Sequence, residues 1–221
     1  MTESFPATSL FRFGRVILLV ATALSFSAMA SADSRLEKSV ELVDALVGDI
    51  MTVVGSDPTP AKVRMETERI IDTYFDYDII ARFAAGNAWR SATDAEKTAY
   101  LKAFREILLS LAETQFDYFN SLEYASRGAT EKGSKLVVVH GEIRDKTGEL
   151  PNTNVSWRIR TRPDQPPRII DIEVENISML ITQQQENTAI INSNGGAFQA
   201  LIDSLNTQAM EIRAAAASTP N

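Results

Sequence analysis

Few residues in this chain have the type and spacing that covalent chemistry needs. There is one histidine, His140, and no cysteine. A Ser-His-Asp group would need His140 as its base. It lies in an alternating segment, Val137 to Ile143, where a half-exposed strand position is the simpler reading. Asp72, Asp76 and Asp78 crowd one short stretch and could form a carboxylate pair or a Ca²⁺ site. Their place at a helix junction fits capping and solvation better. Glu173 and Glu175 alternate on a segment that follows Arg158 and Arg160, so ion pairing is their expected role. There is no G-x-S-x-G, Walker loop, G-x-G-x-x-G or H-E-x-x-H. No catalytic residue, metal or cofactor is expected.

The charge balance narrows the partners. The 221 residues carry 22 Lys and Arg against 29 Asp and Glu, a net charge of −7, with a pI near 4.9. Sequence-independent nucleic-acid binding needs a basic footprint, which is missing. So is a polybasic patch for an anionic membrane. Without Cys there is no disulfide framework, thiolate metal site, cysteine nucleophile or lipidated Cys anchor.

The elements that must position any site begin after residue 30. Arg12 and Arg15 precede an uncharged run, Val16 to Phe26, followed by Ser27-Ala28-Met29-Ala30. This is the layout of a cleavable signal peptide. As a helix the run spans roughly 17 Å, short of the roughly 30 Å hydrocarbon core of a bilayer. Cleavage is expected after Ala30, or after Ala32. The mature chain would carry 20 basic and 28 acidic groups, a charge of −8. Export without Cys points to a Gram-negative periplasm.

Residues 31–213 read as a single domain and 214–221 as a disordered tail. Leu36, Val40, Val43, Leu46, Val47, Ile50 and Val54 mark a helix over about 34–55. A second helix follows Thr59-Pro60, and a third covers about 77–85. Thr93 to Glu96 has capping-box spacing and opens the longest helix, with a stripe through Tyr100, Phe104, Ile107, Leu108, Leu111 and Phe119. The period then changes to two. Val137, Val139 and Ile143 share a face, as do Val155, Trp157 and Ile159, and then Ile170, Ile172 and Val174. Turn residues lie between these segments, so they pair as antiparallel hairpins, with Arg158 opposite Asp171 and Trp157 opposite Ile172. Two more helices follow, over 178–191 and 197–214. The fold class is α+β: a one-sided antiparallel sheet of about four strands, wrapped by helices. Its apolar face can be a packed core or the wall of a cavity; periodicity alone favours the core.

More specific is the stretch Tyr74-Phe75-Asp76-Tyr77-Asp78-Ile79-Ile80-Ala81-Arg82-Phe83, then Gly86, then Ala88-Trp89-Arg90-Ser91-Ala92-Thr93-Asp94-Ala95-Glu96-Lys97. It resembles the central signature of the MlaC/toluene-tolerance family. Asp171 to Met179 and the step from Thr182 to Gly195, followed by Phe198, Leu201, Ile202 and Leu205, are similar to later family segments. The resemblance covers about residues 34–210. The chain departs from the family pattern at Pro167, at Asn176, where Gly is frequent, and at Gln183, Gln184 and Asn187 near the expected pocket mouth.

The resemblance implies a monomeric periplasmic carrier with a fold of nuclear-transport-factor or cystatin type. Such a carrier moves phospholipid between an outer-membrane lipoprotein–porin complex and an inner-membrane ABC transporter with an MCE-domain ring, maintaining outer-membrane lipid asymmetry. The ligand would be a bound phospholipid. Its acyl chains would lie against Phe75, Ile79, Phe83, Phe104, Leu108 and Leu111 from the helices. From the strands they would meet Val137, Val139, Val155, Trp157, Ile159, Ile170, Ile172 and Val174. Other readings stay open at this level. One is a hopanoid or other hydrophobic-ligand binder of the same family. The others are a small hydrolase or isomerase on a similar sheet, and an adaptor with a solid interior.

Overall fold

The three alternating segments are strands of one antiparallel sheet in a computed structural model, which describes residues 14–218, without the side chains of 14–33, 115–117 and 217–218. The strands are β1 (Leu122–Glu131), β2 (Leu136–Asp145), β3 (Thr153–Arg162), β4 (Gln165–Val174) and the two-residue β5 (Ile177–Ser178). Their spatial order is their chain order. The expected register holds: Trp157 faces Ile172 and Arg158 faces Asp171. Glu175 and Asn176 join β4 to β5 with φ of 49° and 64°. Asn tolerates that left-handed conformation, which Gly adopts without steric cost.

One strand face needs correction. A bulge shifts the β3–β4 register between Arg158 and Ile159, so that Ile159 pairs with Ile169. The extra residue is Ile170. Ile169 takes the core position and is fully buried, while Ile170 is only half-buried. A bulge reverses the alternation beyond it, and nothing in Arg168-Ile169-Ile170 marks which isoleucine is displaced.

The helices are α1 (Gly14–Val54), α2 (Pro60–Tyr74), α3 (Tyr77–Ala84), α4 (Asp94–Gln115), α5 (Met179–Ser193) and α6 (Phe198–Ser218). The helix expected over 34–55 is the C-terminal part of α1. Of the expected leader, residues 1–13 lie outside the described residues and 14–30 continue that helix. No helix among the described residues is long and apolar enough to cross a membrane. Helix α6 runs four residues past Ala214, where the tail was expected to begin, and 219–221 lie outside the described residues.

The caps follow the sequence. Thr93 N–H donates to Glu96 Oε2 at 2.8 Å, and Glu96 N–H donates to Thr93 Oγ1 at 3.2 Å, a reciprocal capping box. Asp76 accepts from Ile79 N–H at the start of α3. Ser178 accepts from Ile181 N–H at the start of α5.

Two main apolar clusters result, beside a small third one of Val53, Val54 and Val63. In the sheet cluster, Val43 and Leu46 of α1 and Ile70 and Tyr74 of α2 meet Val137, Val139, Val155, Trp157, Ile159 and Ile169. In the helix cluster, Ala81 and Ala84 of α3, Tyr100, Phe104 and Ile107 of α4, Ile191 of α5, and Phe198, Leu201 and Leu205 of α6 pack together. The α2–α3 junction divides them. Phe75 packs against the sheet cluster, and Tyr77, two residues on, against the helix cluster.

Charged groups join α2 to the second layer. Arg64 of α2 donates to Glu106 at 2.7 Å and Glu113 at 3.1 Å, both on α4. Glu106 also pairs with Arg213 of α6. Arg105 of α4 reaches Asp72 of α2 at 2.6 Å.

Candidate functional site

The strand residues expected to line a pocket do share a surface. Val137, Val139, Val155, Trp157 and Ile159 lie together in the sheet cluster, with Phe75 and Ile172 packed against them. The space in front of them is filled by Val43 and Leu46 of α1. Phe104 and Leu108 belong to the helix cluster instead. Ile79, Ile170 and Val174 are half-buried and belong to neither. Phe83 and Leu111 are each 43% exposed. The fourteen residues are thus split between two layers and their margins.

The sheet cluster contains polar atoms that it does not satisfy. Tyr124 Oη and Trp157 Nε1 are buried without a well-aligned hydrogen bond among the described residues, and their rings meet edge-on at 6.3 Å. Burial pushes the Tyr124 hydroxyl pKa up. Tyr124 crosses the face of Gly141: a Cβ there would stand 2.3 Å from its ring. The periodicity missed Tyr124 because β1 lacks apolar alternation. The usable signal was Gly141 inside an apolar strand, which marks a close approach.

The residues weighed for chemistry all have structural partners. His140 has Ser156 Oγ 3.1 Å from Nδ1 and Thr130 Oγ1 3.0 Å from Nε2. A Ser–His contact is present, but the other ring nitrogen meets a hydroxyl where a triad needs a carboxylate. Asp72 pairs with Arg105, Asp76 with Arg160 and Asp78 with Arg82. Arg158 pairs with Glu173 at 2.8 Å. Glu175 accepts from the backbone N–H of Asn154. Among the described residues no group of three or more His, Cys, Asp or Glu could hold a metal ion.

Two buried polar residues hold α5 in place. Asp171 accepts from Ser178 Oγ at 2.6 Å and from Leu180 N–H at 3.0 Å, tying β4 to the start of α5. Asn187, placed near the pocket mouth by its sequence position, is fully buried. Its Nδ2 donates to Ala84 O at 2.9 Å, and its Oδ1 accepts from Gln183.

Two clefts open beside these elements. One, of about 640 Å³, lies between residues 85–88 and α5, with Gly86, Gln184, Thr188 and Asn192 in its walls and no titratable side chain among its lining residues. It can offer hydrogen bonds but no acid or base. The other, of about 260 Å³, lies at the α2–α3 junction, walled by Phe75 and Tyr77 and by Arg105, Arg160 and Arg168.

Comparison with known proteins places this geometry. A solved structure of a phospholipid-binding protein from Ralstonia solanacearum, in complex with a phospholipid, is similar to it. The match has a TM-score of 0.69 and 18% sequence identity, and covers 78% of this chain and 97% of that one. At this identity the likeness speaks for the fold. The sequence profile described as MlaC protein matches residues 42–207, about three quarters of the chain, from α1 into α6. With that span including the whole sheet and most of both main apolar clusters, the chain belongs to the MlaC family.

Proposed function

We propose that this protein is a periplasmic phospholipid carrier rather than an enzyme. The observation that carries the reading is its divided core. An apolar sheet face and an apolar helix bundle lie side by side as separate clusters, and charged side chains tie α2 to α4 and α6. Such a boundary can open without tearing a single close-packed core apart. The related Ralstonia solanacearum structure, with its bound phospholipid, supports the reading.

The physics of carriage needs no catalyst. Each buried methylene contributes about 0.8 kcal/mol relative to water. Two chains of about sixteen carbons gain about 25 kcal/mol gross. A bilayer offers nearly the same, so the net cost of exchange between carrier and membrane is small. The carrier keeps acyl chains out of water and supplies no direction. Direction comes from partners: an inner-membrane ABC transporter with an MCE-domain ring and an outer-membrane lipoprotein–porin complex, in a system that maintains outer-membrane lipid asymmetry. The leader at residues 1–30 is cleaved on export, and the mature chain acts as a monomer.

For the lipid to occupy the sheet face, α1 and α2 must move off it. The acyl chains then lie against the strand residues of the sheet cluster, with Phe75 at its margin. The test is transfer of a fluorescent phospholipid between donor and acceptor vesicles. The transfer rate is expected to rise in proportion to carrier concentration. A rate unaffected by folded protein would rule the function out.

A further inference from the structure

The smaller cleft at the α2–α3 junction pairs its charges unevenly. Its lining includes three carboxylates and three guanidiniums. Each carboxylate is already committed: Asp72 to Arg105, Asp76 to Arg160 and Asp78 to Arg82, which stands outside the cleft lining. Arg168 is left over. It makes no ion pair and no side-chain hydrogen bond among the described residues.

Arg168 also faces Arg160 directly across the β3–β4 ladder. Like charges opposite one another on neighbouring strands are destabilising. Arg160 is itself incompletely satisfied. Its Nη2 pairs with Asp76 and its Nη1 lies 3.3 Å from Gln165 Oε1, while its Nε is buried without a partner among the described residues. An acidic protein has thus placed two arginines side by side in a cleft, one of them without an ion-pair partner among the described residues.

The chemistry that fits is an oxyanion. A phosphate group can take parallel hydrogen bonds from a guanidinium fork and relieve the repulsion between two of them. The apolar walls indicate what the anion is attached to. Phe75 packs against the sheet cluster and Tyr77 against the helix cluster, so the cleft stands where the two layers meet.

We propose that Arg168, with Arg160 beside it, is a phosphate-binding site that takes the phosphodiester of a carried phospholipid. Resting on the carrier reading, this gives the headgroup a fixed seat. The acyl chains then enter past Phe75. A free phosphate ion has the same chemistry, and the test separates the two sources.

The experiment measures binding by titration calorimetry on the wild-type chain, Arg168→Gln and Arg168→Lys. The probes are dioctanoylphosphatidylglycerol, uncharged dioctanoylglycerol and inorganic phosphate, with melting temperatures recorded for each protein. Wild type is expected to prefer the phospholipid to dioctanoylglycerol by about tenfold, the worth of one charge-assisted hydrogen bond. Arg168→Gln is expected to collapse that ratio toward one without lowering the melting temperature, since it also removes the repulsion from Arg160. Arg168→Lys keeps the charge but loses the fork, and should fall between them. Arg168-dependent binding of inorganic phosphate without phospholipid preference supports the site and assigns it to the free ion. If both lipids bind wild type and Arg168→Gln alters neither the ratio nor phosphate binding, the site is overturned and the carrier stands. If neither lipid binds but phosphate does so through Arg168, the carrier reading fails and the site stands.

Discussion

Gly141 and Tyr124 show how one position constrains the sheet face. The aromatic ring occupies the place of a Cβ at Gly141, 2.3 Å from where that atom would be. Gly141→Ala is therefore expected to destabilise the fold by about 1–3 kcal/mol, through overpacking, in urea unfolding. In a Tyr124→Ser background the added penalty should fall to within about 0.5 kcal/mol, since the clash has been removed. A full penalty in both backgrounds would place its cause elsewhere. The polar residues were the hardest to place from sequence. Thr93 and Glu96 announce their capping box by spacing. Asn187 gives no such sign, because its partner is the carbonyl of Ala84, about a hundred residues away in the chain. Arg168 carries no mark in the sequence; its lack of a partner is visible only once Asp72, Asp76 and Asp78 are assigned to other arginines.

At the scale of elements, the strand pattern was legible wherever one face is buried and the other wet. The β2–β3 and β3–β4 pairings follow from alternation and turn chemistry. β1 was not visible, because its residues are mostly exposed and do not alternate. The displaced Ile170 was hidden because a bulge leaves no mark in a run of two isoleucines. The ionic link between α2, α4 and α6 was equally hidden, since it joins residues far apart in the chain. It has a pH signature. Burial pushes the Glu106 carboxyl up, but Arg213 and Arg64 more than offset this and hold it below its ordinary value of 4.5. A carboxylate depressed in the folded state stabilises above its unfolded pKa, and that contribution fades as pH falls through the folded value. Wild type is expected to be more stable than Glu106→Gln at pH 7. The gap between their melting temperatures should narrow below about pH 4.5. A constant gap down to pH 3 would show that Glu106 acts by packing alone.

The whole molecule is two apolar layers that meet without merging. If their boundary opens to admit lipid, weakening it should speed exchange. Arg64→Gln removes the contacts to Glu106 and Glu113 while leaving both clusters intact, so release of a bound fluorescent phospholipid is expected to quicken by about 2- to 10-fold. That range corresponds to a loss of up to about 1.4 kcal/mol. An unchanged release rate would place the opening elsewhere, most simply at the contact of α1 with the sheet. The family assignment and the sheet topology do not depend on that outcome, but the central claim, that this chain carries lipid, has a more direct test. The mature protein, purified from a Gram-negative periplasm without detergent, should be weighed intact by native mass spectrometry and its organic extract analysed for lipid. The account predicts a folded chain carrying about one phospholipid, released on collisional activation and identified in the extract. A folded chain found only at its bare mass, with no phospholipid in the extract, would contradict it.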